Sequence, residues 1–345
     1  MGENGCKHYK KNYRIRKMKK NIVITSIFSP TVAVKEFSKL ADYQLIVVGD
    51  KKTPLDWFCD DVDFLSVSQQ KKLNYSIIKV LPYNHYCRKM IGYLKAIESG
   101  ADLIVDTDDD NIPKKKWNFP DFNGEFDFIE ANLGFINIYQ LYASQKIWPR
   151  GLPLNCISEN VELESHIVKK ECEIGIWQGL ADEDPDVDAI YRLTSDKPCY
   201  FKDRSPIVLG QRTLSPFNTQ NTIIRRELFP LLYLPTYVTF RFTDILRGLI
   251  AQPIMWLYGY NLGFNNATVI QKRNPHDYMK DFISEMPIYQ HAENVIDIVQ
   301  SAISKNVSIE SNLHNAYCTL LKENIICKNE IKTLEYWLLD IKNLS

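Results

Sequence analysis

An α/β fold with a mainly parallel central sheet, helices on its faces and a helical tail is predicted by three features of this 345-residue chain. Apolar runs of strand length recur at 21–28 (NIVITSIF), 44–48 (QLIVV) and 102–105. Helical periodicity fills the gaps at 32–41 and 84–99, where Met90, Ile91, Leu94 and Ile97 share a face and Gly100 ends the helix. From about 287 to the end helical spacing dominates, as in Val295, Ile296, Ile298 and Val299. Strand and helix alternating in this way build βαβ units and a parallel sheet.

The remaining elements are fainter. Residues 62–67 form a short strand, and FDFIEA (126–131) and FINIY (135–139) are further strand candidates. Residues 144–160 are rich in turn formers, and the apolar, aromatic stretch 227–260 holds a helix near 243–251. The organisation expected is a basic, disordered extension (1–19), one catalytic domain (20–285) with a nucleotide-binding half (20–120) and an acceptor half (121–285), and a helical region (286–345).

Composition narrows the function. Forty-two basic and 42 acidic residues cancel, which excludes a nucleic-acid binder of the usual charged kind. Eight cysteines without a CxxC pair argue against zinc and fit reduced thiols in the cytoplasm. No apolar run reaches the ~18 residues of a membrane span. Lys7, Lys10, Lys11, Arg14, Arg16, Lys17, Lys19 and Lys20 oppose only Glu3 in the first 20 residues. Such an arm suits peripheral contact with anionic lipid at the inner membrane face, or is a solvated tail ahead of a start at Met18. Homo-oligomerisation through the helical tail is left open.

The chemistry concentrates at ADLIVDTDDDNIP (101–113), where an apolar run ends in Asp106, Asp108, Asp109 and Asp110. Four carboxylates this close repel one another, and a cation relieves them. Carboxylate oxygens suit Mg²⁺ or Mn²⁺, which share their shell with phosphate. The alternative is a solvated or capping acidic loop. Thr25-Ser26 and Asp50 end the first two strands on the same edge, where a carboxylate can accept from a ribose or base. Arg88 and Lys89 open the next helix and suit a diphosphate. WPRG (148–151) is a stiff turn presenting Arg150. The acidic run Asp182, Glu183, Asp184, Asp186, Asp188 lacks ligand spacing and reads as a turn and a helix cap. Asp244, among apolar and aromatic residues and followed by Arg247, suits a base acting on a hydroxyl, or pairs with that arginine. His276 sits in a Pro-bounded turn where a last metal ligand is conceivable. Trp177, Tyr237 and Trp256 are sugar-stacking or core residues, with core favoured.

These blocks together resemble GT-A nucleotide-sugar glycosyltransferases, and more closely the STELLO-type glycosyltransferase family. The resemblance rests on DTDDDN (106–111), WPRG (148–151), DPDVDAIYRLT (184–194), FNTQNT (217–222), TDILRG (243–248) and RNPHD (273–277). A fainter one reaches the reversibly glycosylated polypeptides, which include UDP-arabinopyranose mutases. The resemblance implies a GT-A-like domain and transfer of sugar from a nucleoside-diphosphate sugar to a glycan or lipid-linked acceptor in surface-glycan synthesis. It implies that Asp110, with Asp108 and His276, holds Mn²⁺ or Mg²⁺, that Asp108 and Asp109 contact the donor, and that Thr25, Ser26, Asp50 and Arg88 contact the nucleotide. Asp244, with Arg247, would activate the acceptor. Arg150 matches the arginine glycosylated in the mutase relatives, so a mutase or self-glycosylating protein is an alternative, and a non-catalytic nucleotide-sugar scaffold is another.

Overall fold

A computed structural model describes residues 17–159, 161–273 and 276–344. The expected basic arm therefore lies, apart from residues 17–19, outside the described residues.

The first half alternates strand and helix: β1 (Lys20–Thr25), α1 (Val32–Phe37), β2 (Tyr43–Val48), β3 (Val62–Leu65), α2 (Val67–Gln70), α3 (Lys89–Glu98) and β4 (Leu103–Thr107). The second half runs β5 (Asn111–Pro113), β6 (Asn123–Ile129), β7 (Gly134–Phe135), β8 (Ile167–Asp182), α4 (Ala189–Thr194), β9 (Ile207–Leu209), β10 (Thr213–Leu214), β11 (Asn221–Arg225), α5 (Thr243–Leu257) and β12 (Asn261–Gln271). Three helices follow: α6 (Tyr278–Ala302), α7 (Ile309–Lys322) and α8 (Lys328–Leu344).

One sheet of order β3-β2-β1-β4-β11-β8-β6-β9-β12-β5 crosses both halves, with β8 also pairing β12. β1 to β4 are parallel, as their apolar sequences foretell: buried on both faces, Ile22, Val23, Ile24, Ile46 and Ile104 are fully enclosed. Beyond β4 the sheet departs from expectation and is mostly antiparallel, at β4–β11, β11–β8, β8–β6, β9–β12 and β12–β5. Parallel neighbours need a long crossover, and between β5 and β11 the only α-helix described is the six-residue α4.

Packing of α3 on the parallel strands sets the site's floor. A Cβ at Gly92 would stand 2.5 Å from Val23 Cγ1 and 2.8 Å from Val48 Cγ2, so only glycine admits this approach. α3 thereby delivers Arg88 and Lys89 to the carboxyl ends of β1, β2 and β4, the edge where open α/β sheets bind ligands. The C-terminal helices pack on their own chain. Trp337 of α8 is fully buried and its Nε1 donates to the Pro230 carbonyl at 2.9 Å. Asp340 accepts the N–H groups of Ser76 and Ile77 at 2.7 and 2.8 Å. Among the described residues no helix is long and apolar enough to cross a membrane, and the seven described cysteines are free thiols.

Candidate active site

A cleft of about 350 Å³ opens over the carboxyl ends of β1, β2 and β4. Thr25, Ser26, Asp50, Arg88, Asp108, Asp109, Asp110, Arg150, Asp244 and His276 all line it. Residues spread over 250 positions converge because three parallel strands end on one edge and α5 and β12 close the opposite side.

The aspartates divide by environment. Asp106 is fully buried at the end of β4 between Lys89 Nζ (2.7 Å) and Arg247 Nη1 (2.8 Å). Lys89 also reaches Asp108 at 2.9 Å, and Tyr86 donates its hydroxyl to the same carboxylate at 3.2 Å. Burial works against the Lys89 charge, yet Asp106 and Asp108 hold its pKa above the ordinary lysine value. Asp109 accepts from Ser26 Oγ, and the Thr31 hydroxyl donates to the Asp109 carbonyl at 2.6 Å. Asp110 accepts from Gln271 Nε2 at 3.2 Å, while its Oδ1 is buried with no partner among the described residues. Desolvation pushes Asp108 up to about 6 and, with the charge of Asp108 adding, Asp110 up to about 7. Four carboxylates thus meet two cations, Lys89 and Arg247. Two carboxylates are left without a cation of their own.

Across the cleft a second network is closed on itself. Arg150 donates through Nε and Nη2 to Asp186 (2.8 and 2.7 Å) and through Nη1 and Nη2 to Asp244 (3.0 and 2.8 Å). Nη1 also donates to the Arg241 carbonyl, so all five N–H donors are engaged. Burial opposes the Arg150 charge, but the two carboxylates hold its pKa well above the ordinary arginine value. Asp186 loses water too, yet Arg150 and Arg241 keep its pKa below 3.8. The turn holds because Gly151 sits at φ +96°, where a Cβ would meet Ile245 Cγ2 at 2.6 Å.

Some expected residues play other parts. Arg247 lies behind the cleft against Asp106 and is 2% exposed; Asp244 pairs with Arg150 in its place. Arg88, 1% exposed, is held by Gln70 Oε1 (Nε at 3.1 Å) and stacks on Tyr83, 4.4 Å from the ring centroid. His276 places Nδ1 3.0 Å from Asp281. Among the described residues no three His, Cys, Asp or Glu side chains are arranged to hold a metal by themselves. Asp188 caps α4 by accepting from Tyr191 N, as the cap reading expects. Trp177 and Trp256 are core, whereas Tyr237 is 43% exposed. Tyr86, Thr219, Gln220, Arg241, Gln271 and Arg273 complete the networks or the lining and were not singled out as site residues; Lys89, expected at a diphosphate, pairs with Asp106 and Asp108, and Asp186, expected in a turn, pairs with Arg150. Asp186, Arg241 and Gln220 fall inside sequence blocks that were already conspicuous; Gln271 and Tyr86 carried no signal of their own.

The family model for STELLO glycosyltransferases matches residues 241–345. The protein named probable glycosyltransferase STELLO2 of Arabidopsis thaliana is 29% identical over 356 residues, which span 95% of this chain and 45% of that protein. Over nearly its whole length the chain is similar to this STELLO protein. Probable glycosyltransferase STELLO1 of the same plant is 27% identical over 343 residues, with 93% of this chain and 44% of that protein covered. The chain spans less than half the length of these two STELLO proteins. The matched family region contains α5, with Asp244 and Arg247, the strand carrying Gln271, and all three C-terminal helices.

Proposed function

We propose that this chain is a glycosyltransferase that uses a divalent cation, Mn²⁺ or Mg²⁺, to transfer sugar from a nucleoside-diphosphate sugar to a hydroxyl of a glycan or lipid-linked acceptor, in surface-polysaccharide or glycoconjugate synthesis. One observation carries the reading: two more carboxylates than cations at Asp106–Asp110, with the unpartnered Asp110 Oδ1 among them. A Mg²⁺-like ion takes one or two carboxylates and completes its shell with water and substrate phosphate, so the lack of a three-residue cage suits a cation that arrives with its nucleotide. Asp110 and Asp108 are its ligands in this reading, while His276, on the same cleft, faces Asp281. Bound there, it supplies positive charge to the leaving diphosphate.

The chain's own residues do the rest. Thr25, Ser26 and Asp50 receive the nucleoside, and Ser26 fixes Asp109 against it. Arg150, its donors saturated, holds Asp186 and Asp244 rigidly towards the sugar. Asp244 takes the proton of the acceptor hydroxyl as that oxygen bonds the anomeric carbon. The bond from that carbon to the diphosphate oxygen breaks, and its electron pair leaves with the diphosphate. Self-glycosylation at Arg150 finds no support: a protonated guanidinium with five engaged donors is a poor nucleophile.

The test is release of nucleoside diphosphate from UDP-, GDP- and ADP-linked sugars with Mn²⁺ and with EDTA. The reading expects metal-dependent release with one nucleotide family, enhanced by an acceptor. Nucleotide binding without release under any acceptor would transfer the case to the scaffold alternative.

A further inference from the structure

The C-terminal helices reach the acceptor side of the cleft through two fully buried carboxylates, Glu285 on α6 and Glu330 on α8. Glu330 accepts the N–H of Thr236 at 2.9 and 3.0 Å, the N–H of Tyr237 at 2.7 Å and the hydroxyl of Tyr233. Glu285 accepts from Arg241 Nε at 2.9 Å and from the N–H of Ala189 at 2.7 Å. Between these anchors runs the segment 233–244, which brings Phe240, Arg241 and Asp244 to the cleft. A buried carboxylate is tolerated only when hydrogen bonds satisfy it. One that spends its oxygens on the backbone of a distant segment fixes that segment's position.

We propose that Glu330 is a positioning residue for the acceptor side: it does not line the cleft, and it acts by holding 233–237 so that Phe240, Arg241 and Asp244 are presented together. This rests on the donor–acceptor reading of the cleft given above. The donor side is built from β1, β2 and β4 and does not depend on Glu330.

The test uses the full chain with E330Q and E330D. Gln keeps the shape but turns an N–H₂ towards two backbone donors; Asp keeps both oxygens one methylene short. In E330Q, amide hydrogen exchange of 233–242 should rise tenfold or more while β1–β4 keep their protection. Affinity for UDP, GDP or ADP with Mn²⁺ should stay within twofold, and hydrolysis of the sugar nucleotide to water within threefold. Transfer to octyl glycoside acceptor probes should fall tenfold or more, and E330D should recover part of it. Unchanged exchange in 233–242, or exchange rising through the whole chain with nucleotide affinity falling alongside transfer, overturns the proposal. If the native chain binds no nucleotide, the donor–acceptor reading fails instead, and the positioning role for acceptor falls with it.

Discussion

At Asp110, burial and the charge of Asp108 push the carboxyl up to about 7, and Asp108 itself up to about 6, against 3.8 for an ordinary aspartate. The folded chain therefore binds extra protons between about pH 4 and 7; the stabilisation they bring is full below about pH 4 and is lost progressively as pH rises to about 7. In EDTA the thermal midpoint should drop between about pH 4 and 7, and Mn²⁺ at pH 8 should restore it. A midpoint insensitive to both would mean that the two carboxylates are already neutralised within the protein. On the opposite wall, Asp244→Asn should keep nucleotide affinity and lose transfer by about 10²- to 10⁴-fold, the usual scale of a lost general base. Steady-state transfer at the native rate would remove Asp244 from that role.

Between β4 and α5, the turn carrying Arg150 depends on Gly151. Gly151→Ala forces a left-handed φ of +96° on a residue with a Cβ and drives that Cβ into Ile245. Denaturant unfolding should show a loss of roughly 1–3 kcal/mol, with transfer falling further than nucleotide affinity because Arg150 shifts with the turn. Native stability would mean that Ile245 and Pro216 give way without cost. At this scale the sequence was legible where the pattern was pure. β1, β2, α3 and β4 lie within a few residues of the expected positions because their runs are apolar and their helix is periodic. The strands β8 and β12 went unread. The first half of β8, VKKECE, is charged and largely exposed, and its buried half reads GIWQGLAD without alternation. β12 begins NLGFNNAT, poor in β-formers and irregular in register against β8 at Asn261/Leu262, Asn265/Ala267 and Ala267/Val269. Without those two strands the antiparallel half of the sheet could not be foreseen.

Across the whole molecule, residues singled out for their chemistry gather at one cleft even where the strands around them were not foreseen. Asp50, Asp108–Asp110, Arg150 and Asp244 arrive at one cleft from four separated stretches. What stayed hidden were the pairings. Lys89 and Arg247 neutralise Asp106, and Arg150 takes Asp244 from Arg247. No local pattern announces ion pairs such as Arg150–Asp244 and Arg247–Asp106, whose members lie 94 and 141 positions apart. Those pairings also settle how much charge is left over for a ligand. The central claim is that this remainder is met by a divalent cation arriving with a nucleoside diphosphate. Calorimetric titration of UDP, GDP and ADP into the native chain and into Asp110→Asn, each with Mn²⁺ and with EDTA, tests it most directly. The account predicts that one diphosphate binds the native chain only with Mn²⁺, and that Asp110→Asn, still folded, loses that affinity by at least about tenfold. Equal affinity with and without Mn²⁺, or an unaltered affinity in Asp110→Asn, would contradict it.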